Sequence, residues 1–509
     1  MIKYIFLVVF FAVMLGVGFY CRKSATDVNG FVLGGRNVGP WVTAFAYGTS
    51  YFSAVIFVGY AGQFGWKFGL ASTWIGLGNA FLGSLLAWVV LGRRTRVMTQ
   101  HLKSSTMPEF FEKRFNSKAL KIIASVIVFV FLVPYTASLY NGLSRLFGMA
   151  FGFDYTYCVI AMSVLTCIYV VVGGYMATAI NDLIQGIIMI GGIIAVVVTV
   201  LNGHGGFYEA IVKLSQKTQE GVEMQGAFTS FFGPDAISLL FVVLLTSLGT
   251  WGLPQMVQKF YAIKDEKSIK TGTIVSTFFA VIVAGGCYFL GGFGRLYTPQ
   301  MNGDNIVFDS IIPEMIKPLP DILIGIVVIL VLSASMSTLS SLVLTSGSTL
   351  TLDFIAPLKK KGLNEKQKLI SIRVLIAFFV AVSAVIAIVQ AKSNVTFIAQ
   401  LMGISWGALA GAFLAPFLYG LYLKRTTKAA VWTSFAVGCG IMILNLVCPS
   451  IFPEFFRSPI NAGVLSMVAG LVLVPIVSFI TPKPKNDVDS IFDCYNRKIT
   501  VSAKNALEE

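Results

Sequence analysis

The stretch LSASMSTLSSLVL, Leu332 to Leu344, sets six hydroxyl side chains between Ser333 and Ser341 inside an otherwise apolar run. Ala334, Ser337, Thr338 and Ser341 follow i, i+3, i+4, i+7 spacing and so share one helical face. Hydroxyl and carbonyl oxygens are hard, neutral ligands suited to an alkali cation. The same small residues also let helices pack closely and hydrogen-bond across an interface, so the pattern carries two readings. Asp182, in ATAINDLIQG, puts a carboxylate inside a second apolar run. An ionised acid there is costly and marks an ion path or a paired charge, unless it reaches water. Arg145, the base placed within an apolar run, falls toward the opposite side, so a bound cation is the expected counter-charge.

These groups need elements that hold them at depth, and the composition supplies such elements. The chain has 509 residues, 56% hydrophobic and 12% charged, with mean hydropathy +0.80. Soluble chains carry about a quarter charged residues. Apolar runs near twenty residues long match the hydrocarbon thickness of a bilayer, which implies an all-α polytopic membrane protein. Thirteen transmembrane helices are expected, near 4–20, 41–65, 71–91, 122–149, 155–173, 178–201, 236–258, 272–294, 319–348, 370–390, 395–421, 429–448 and 460–481. The first is expected to be retained rather than cleaved: Lys3 alone precedes it, no small-residue cleavage site is present, and Arg22 with Lys23 follow it.

The net charge of +15 reports orientation rather than a nucleic-acid partner. With the N-terminus outside, Arg93, Arg94 and Arg96, then Lys359, Lys360 and Lys361, then Lys424 and Arg425 all fall on the cytoplasmic side, as the positive-inside rule requires. The C-terminal tail from Pro482 is then cytoplasmic as well. The cytoplasmic loop 92–121 contains SSTMPEFFEKRF, where Thr106 is placed to cap a short helix, with Glu109 three residues later. Seven cysteines without CxxC pairs, and two histidines placed in loops, argue against zinc and histidine catalysis. No nucleophile motif or phosphate-binding glycine loop suggests an enzyme.

Two of the expected helices are interrupted. GTSYFS, Gly48 to Ser53, breaks the second and GTWGLP, Gly249 to Pro254, breaks the seventh. Glycine and proline weaken a continuous helix, and backbone groups freed at depth must be satisfied by protein, water or ligand. The breaks lie five helices apart, so their helices run in opposite directions. Interrupted helices at matching places in two inverted halves point to a transporter's binding site at the midplane. Ser50, Tyr51, Ser53, Asn79, Tyr135, Trp251, Gln255 and Gln400 are the candidates for lining a substrate cavity there, with Trp406 nearby; each also suits simple packing.

FVLGGRNVGPW leading into AYGTSYFSAVIFVG, then GGYMATAINDLIQG, WGLPQMVQKFYAIKD and LSASMSTLSSLVL resemble, in order and spacing, the patterns of the sodium:solute symporter family. The resemblance spans nearly the whole chain. It implies the leucine-transporter fold, a 5+5 inverted repeat with a leading helix, and sodium-driven solute uptake by alternating access. The expected organisation is a leading helix and loop (1–40), a first five-helix repeat (41–202), an external loop (203–235), the inverted repeat (236–421), two further helices (422–481) and a tail (482–509). The resemblance assigns a principal sodium site to the carbonyls of Thr49, Phe52 and Ala334 and the hydroxyls of Ser337 and Thr338. A second sodium, held in some members, would fall on Asp182, Ser337, Ser340 and Ser341.

The motifs are closest to the pantothenate and proline branches. The proline branch has an aspartate in the first break where this chain has Tyr51, and sialic acid carriers have an arginine near the position of Tyr135. The sugar branch usually has Asn where Pro254 and Gln255 stand. The solute expected is therefore a small carboxylate-bearing metabolite such as pantothenate, a monocarboxylate or an amino acid, imported through the plasma membrane. Sodium, the solute and the lipid bilayer are the partners implied, and a monomer carries every expected site residue. A proton-coupled carrier of the same fold and a transporter-like membrane sensor are the alternative expectations.

Overall fold

The computed structural model of the chain describes residues 2–218, 224–359, 362–393, 398–484 and 488–496. Lys360 and Lys361 of the basic cluster, and most of the expected tail, lie outside the described residues, as do the side chains of Tyr51 and Arg145. The main helices are α1 (Ile2–Cys21), α2 (Pro40–Tyr51), α3 (Met107–Phe115), α4 (Lys118–Phe151), α5 (Tyr155–Gly203), α6 (Ala236–Leu248) and α7 (Pro254–Ala262). They continue as α8 (Glu266–Ala280), α9 (Asp321–Thr349), α10 (Glu365–Ser393), α11 (Ile398–Tyr422), α12 (Lys428–Val447) and α13 (Pro459–Ile480). Among the described residues, ten helices are long and apolar enough to cross a membrane, or eleven when the bent pair formed by Ala236–Gly252 and Pro254–Ala262 is taken as one span.

Two of those ten are too long for one crossing. α5 has 49 residues, about 74 Å at 1.5 Å per residue, against roughly 30 Å of hydrocarbon. It turns at Gly174 (φ 57, ψ −149), a conformation that favours glycine. A Cβ there would also lie 2.9 Å from the Phe31 carbonyl oxygen. The two runs expected at 155–173 and 178–201 are thus one chain of helix folded at a single residue. The 47-residue stretch Val55–His101 turns likewise at Gly69 (φ 62, ψ −141).

Both expected breaks are present, and they share a backbone shape. α2 ends at Phe52 (φ −91, ψ 118) before a π-helical turn, Val55–Tyr60. The 3-10 turn Gly249–Gly252 ends at Leu253 (φ −84, ψ 118), after which Pro254 opens α7 with a bend of 49°. Proline fits there because a helix's first N–H has no partner within the helix. The second break is pressed onto α11: a Cβ on Gly252 would lie 2.8 Å from the Leu414 nitrogen and 2.9 Å from the Ala410 Cα. α7 carries the seventh segment to Ala262, four residues beyond the expected end, and every one of its residues is buried.

α9 occupies the centre. Every residue from Val327 to Thr349 is buried, and the helix packs against α1, α4, α5, α10 and α2. A helix apolar all round belongs in a core, so its hydroxyls must find partners inside the protein.

The face carrying the basic clusters is closed by guanidinium groups on backbone carbonyls. Arg36 donates to the Ser104 oxygen, Arg96 to Ile263 at 2.6 Å, Arg114 to Gly420 at 2.9 Å and Leu423 at 3.1 Å, and Arg373 to Ala25 at 3.2 Å. Burial lowers the Arg36 and Arg114 guanidiniums to about 10, which leaves both charged at neutral pH. α3 begins on the same face as its sequence indicates: Thr106 Oγ1 accepts from the Glu109 nitrogen at 3.2 Å, and Glu109 Oε2 reaches back to the Ser105 nitrogen at 2.6 Å.

Candidate functional site

The first break turns its backbone oxygens toward α9. Thr338 Oγ1 lies 3.2 Å from the Thr49 carbonyl oxygen, 3.2 Å from that of Phe52 and 3.1 Å from that of Ala334. Ser337 Oγ lies 3.1 Å from Thr49 and 3.0 Å from Ala334. Five short contacts join three carbonyls to two hydroxyls, yet two hydroxyls carry only two protons. At most two of the five are hydrogen bonds at one time. Such a cluster is rich in acceptors, and its remaining lone pairs suit a small cation that replaces the missing donors. All five groups come from residues buried against the core.

A different arrangement surrounds Asp182. The residue is fully buried, so it is not a boundary acid solvated by water. Neither carboxylate oxygen has a hydrogen-bond partner. The charge opposite it is the ammonium of Lys259 on α7, 3.8 Å from Oδ2. The sequence reading places no basic residue near Asp182, and the structure puts Lys259 there. Lys259 lies one residue past the drawn end of the seventh span and reads as a boundary lysine, whereas α7 continues and buries it. The ammonium also donates to Ser341 Oγ at 3.1 Å and sits 5.1 Å from the centre of the Tyr175 ring. Ser341 in turn lies 3.0 Å from Ser50 Oγ, and Ser340 donates to the Ser337 carbonyl at 2.9 Å. An opposite charge at reach from α7 was the one signal available in sequence for finding this partner.

The expected cavity-lining residues divide into two groups. Asn79 accepts from Ser247 at 3.2 Å, and Trp251 Nε1 donates to the Leu82 carbonyl at 3.0 Å. Both therefore tie the second break to the helix that passes it. In Tyr135, Gln255 and Trp406 the hydroxyl, both amide atoms and Nε1 are buried without a well-formed hydrogen bond, as is the amide nitrogen of Asn79. Tyr135 stands beside Ser53 and Trp406, its ring edge-on to the indole at 5.8 Å. Ser53 Oγ accepts from the Val55 nitrogen at 3.2 Å. Buried polar atoms left open cost free energy unless something satisfies them. Gln400 lies in the first turn of α11, half-buried.

Helices broken at depth around an acceptor-rich oxygen cluster define a helical membrane transporter. Residues 31–438 match the model of the sodium:solute symporter family. The chain belongs to that family, whose members are transporters and not enzymes. It is similar to the osmoregulated proline transporter OpuE of Bacillus subtilis (strain 168), with 28% identity over 483 residues covering 94% of each chain. It is equally similar to the sodium/proline symporter of Staphylococcus aureus (strain NCTC 8325 / PS 47), 28% identical over 495 residues, 94% of this chain and 92% of that one. Among solved structures, a Na+-coupled sialic acid symporter in a substrate-bound outward-open state superposes with a TM-score of 0.76. That match has 19% identity and covers 95% of this chain and 99% of the other. The likeness gives the fold, the leucine-transporter arrangement.

Proposed function

We propose that the protein is a sodium-driven symporter that imports a small carboxylate-bearing solute, with proline and amino acids of similar size the first candidates. The observation that carries the reading is the oxygen cluster of Thr49, Phe52, Ala334, Ser337 and Thr338, where five close contacts share two protons. A sodium ion entering there would take carbonyl and hydroxyl oxygens in place of its hydration shell. Because Thr49 and Phe52 belong to the first break and Ala334, Ser337 and Thr338 to α9, the ion would fasten the broken helix to the core. Solute binding against that break would then depend on the ion.

The solute's place is assigned to the space among Ser50, Ser53, Tyr135, Gln255 and Trp406, with Gln400 at its margin. The named side chains are neutral, so they discriminate by hydrogen bonding and not by ion pairing. The positive end of α7, which opens at the second break, favours a carboxylate. The two proline-carrying relatives, similar along almost their whole length, favour an amino acid over pantothenate. Thirteen crossings are assigned to the chain, counting α5 and Val55–His101 twice each and the bent pair once, with the two breaks in inverted five-helix halves, 41–202 and 236–421. Placing the basic clusters in the cytoplasm puts the N-terminus outside.

Thermal unfolding of the purified protein against a panel of amino acids, monocarboxylates and pantothenate, with sodium or with potassium, tests this reading. A true solute at a hundredfold excess over its dissociation constant adds about 2.7 kcal/mol of apparent stability. The expected result is a rise for proline or a near relative in sodium and none in potassium. Equal shifts in both salts would overturn sodium coupling, and a shift for pantothenate alone would move the solute class.

A further inference from the structure

A broken helix exposes two kinds of backbone group: carbonyl oxygens where its first half ends, and N–H groups where its second half begins. At depth both kinds need partners. In the first break the carbonyls of Thr49 and Phe52 face Ser337 and Thr338, while the N–H end is met by a different residue of α9. The Ala54 nitrogen donates to Ser335 Oγ at 3.3 Å, a buried contact. The next nitrogen, that of Val55, donates to Ser53 Oγ at 3.2 Å and is satisfied within its own segment. The second half is thus tied to α9 at Ala54. The same residue is pressed by α4, where a Cβ on Gly142 would lie 3.1 Å from the Ala54 Cβ, carbonyl carbon and carbonyl oxygen. With Ala54 and Ser335 both buried, the Ala54 N–H would be left open without that hydroxyl.

We propose that Ser335 is a positioning residue for the oxygen cluster: its hydroxyl caps the second half of the first broken helix and so fixes where the Phe52 carbonyl points. The inference rests on the reading of that cluster as a sodium site. Serine is among the preferred residues for capping a helix start, and here the cap comes from a neighbouring helix because Ser53 is engaged by Val55. Ser335 and Thr338 are three residues apart and so lie on adjacent turns of one side of α9. Thr338 Oγ1 meets the Phe52 carbonyl oxygen at 3.2 Å, and Ser335 holds the nitrogen two residues later. The bend at Phe52 and Ser53 is therefore spanned by two contacts with one helix. An ion in the cluster needs the Thr49 and Phe52 oxygens together, and a bond that involves no ion sets one end beforehand. Without that bond the chain past Phe52 is free to turn, and only the fraction in the right geometry binds sodium. The apparent dissociation constant then rises by the inverse of that fraction. A buried N–H left without an acceptor is costly enough to make the rise about tenfold.

Equilibrium binding of radioactive sodium to the purified full-length protein, beside thermal unfolding in potassium, tests the role. Ser335→Ala should weaken sodium binding about tenfold. Ser335→Thr returns a hydroxyl to the same place and should restore binding close to wild type. Because the serine acts through the cluster, Ser335→Ala combined with Thr338→Val should lose less affinity than the two single losses added together. Ser335→Cys keeps the volume with a weak acceptor; it should match Ser335→Ala, and it carries the test where the alanine variant fails to fold. A folded Ser335→Ala or Ser335→Cys that binds sodium as wild type does, and loses only stability in potassium, would overturn the proposal and leave Ser335 as packing. A Ser335→Thr that folds but binds as weakly as Ser335→Ala would overturn it too. Thr338→Val separates the two readings. Unchanged sodium binding in that variant removes the sodium site and the proposal with it, whereas a loss there with none in Ser335→Ala overturns the proposal alone.

Discussion

Thr338 is the residue on which the proposed sodium dependence turns. Its hydroxyl is within 3.2 Å of three carbonyl oxygens from two different segments. Thr338→Val keeps the branched shape and removes the oxygen. Apparent sodium affinity should fall by at least about tenfold, which corresponds to 1.4 kcal/mol, while the amount of protein in the membrane stays near wild type. Uptake measured against sodium concentration, with surface protein quantified in parallel, checks this. Unchanged sodium dependence with lost expression would show that the hydroxyl serves packing alone. The residue types of this cluster were legible in sequence because six hydroxyls in an apolar run are conspicuous. The imbalance between acceptors and protons was not, since it exists only once the first break is laid against α9. Lys259 was hidden for a related reason. A lysine at the edge of an apolar run usually extends its charge to water, and only the packing around α7 shows that this one is buried.

At the scale of elements, the two breaks behave as matched parts under different constraints. Phe52 and Leu253 adopt nearly the same extended torsions, and each break was readable from glycine, proline and hydroxyl residues at mid-run. What the sequence did not reveal was how tightly the second break is pressed against α11. A methyl group on Gly252 meets backbone at 2.8 Å, whereas one on Gly249 finds its nearest neighbour at 3.7 Å. Gly252→Ala should therefore lower thermal stability by about 1–3 kcal/mol and reduce uptake, and Gly249→Ala should leave both close to wild type. Equal effects at the two positions would mean that the approach of α11 does not constrain this turn. The merging of two expected runs into α5 has a similar origin. A single residue, Gly174, makes the corner, and so short a turn leaves little polar sequence to mark it.

At the scale of the whole molecule, the proposed orientation rests on the basic face. Single cysteines replacing Lys359 and Lys213 should react with a membrane-impermeant reagent from opposite sides, Lys359→Cys from the cytoplasm. Labelling of both from one side would overturn the thirteen-crossing assignment. The arginines on that face also have a role beyond orientation. Arg36, Arg96, Arg114 and Arg373 each grip a neutral carbonyl oxygen of another segment rather than a carboxylate. Exposed charge pairs weaken as ionic strength rises, but a bond from a guanidinium to a peptide oxygen has no second charge to screen, and those of Arg96 to Ile263 and Arg114 to Gly420 are buried. A cell that accumulates salt under osmotic stress would dissolve closures made of surface ion pairs. The clasps on this face would keep their grip, so the barrier between the two sides of the membrane should hold through swings in the salt content of the cytoplasm.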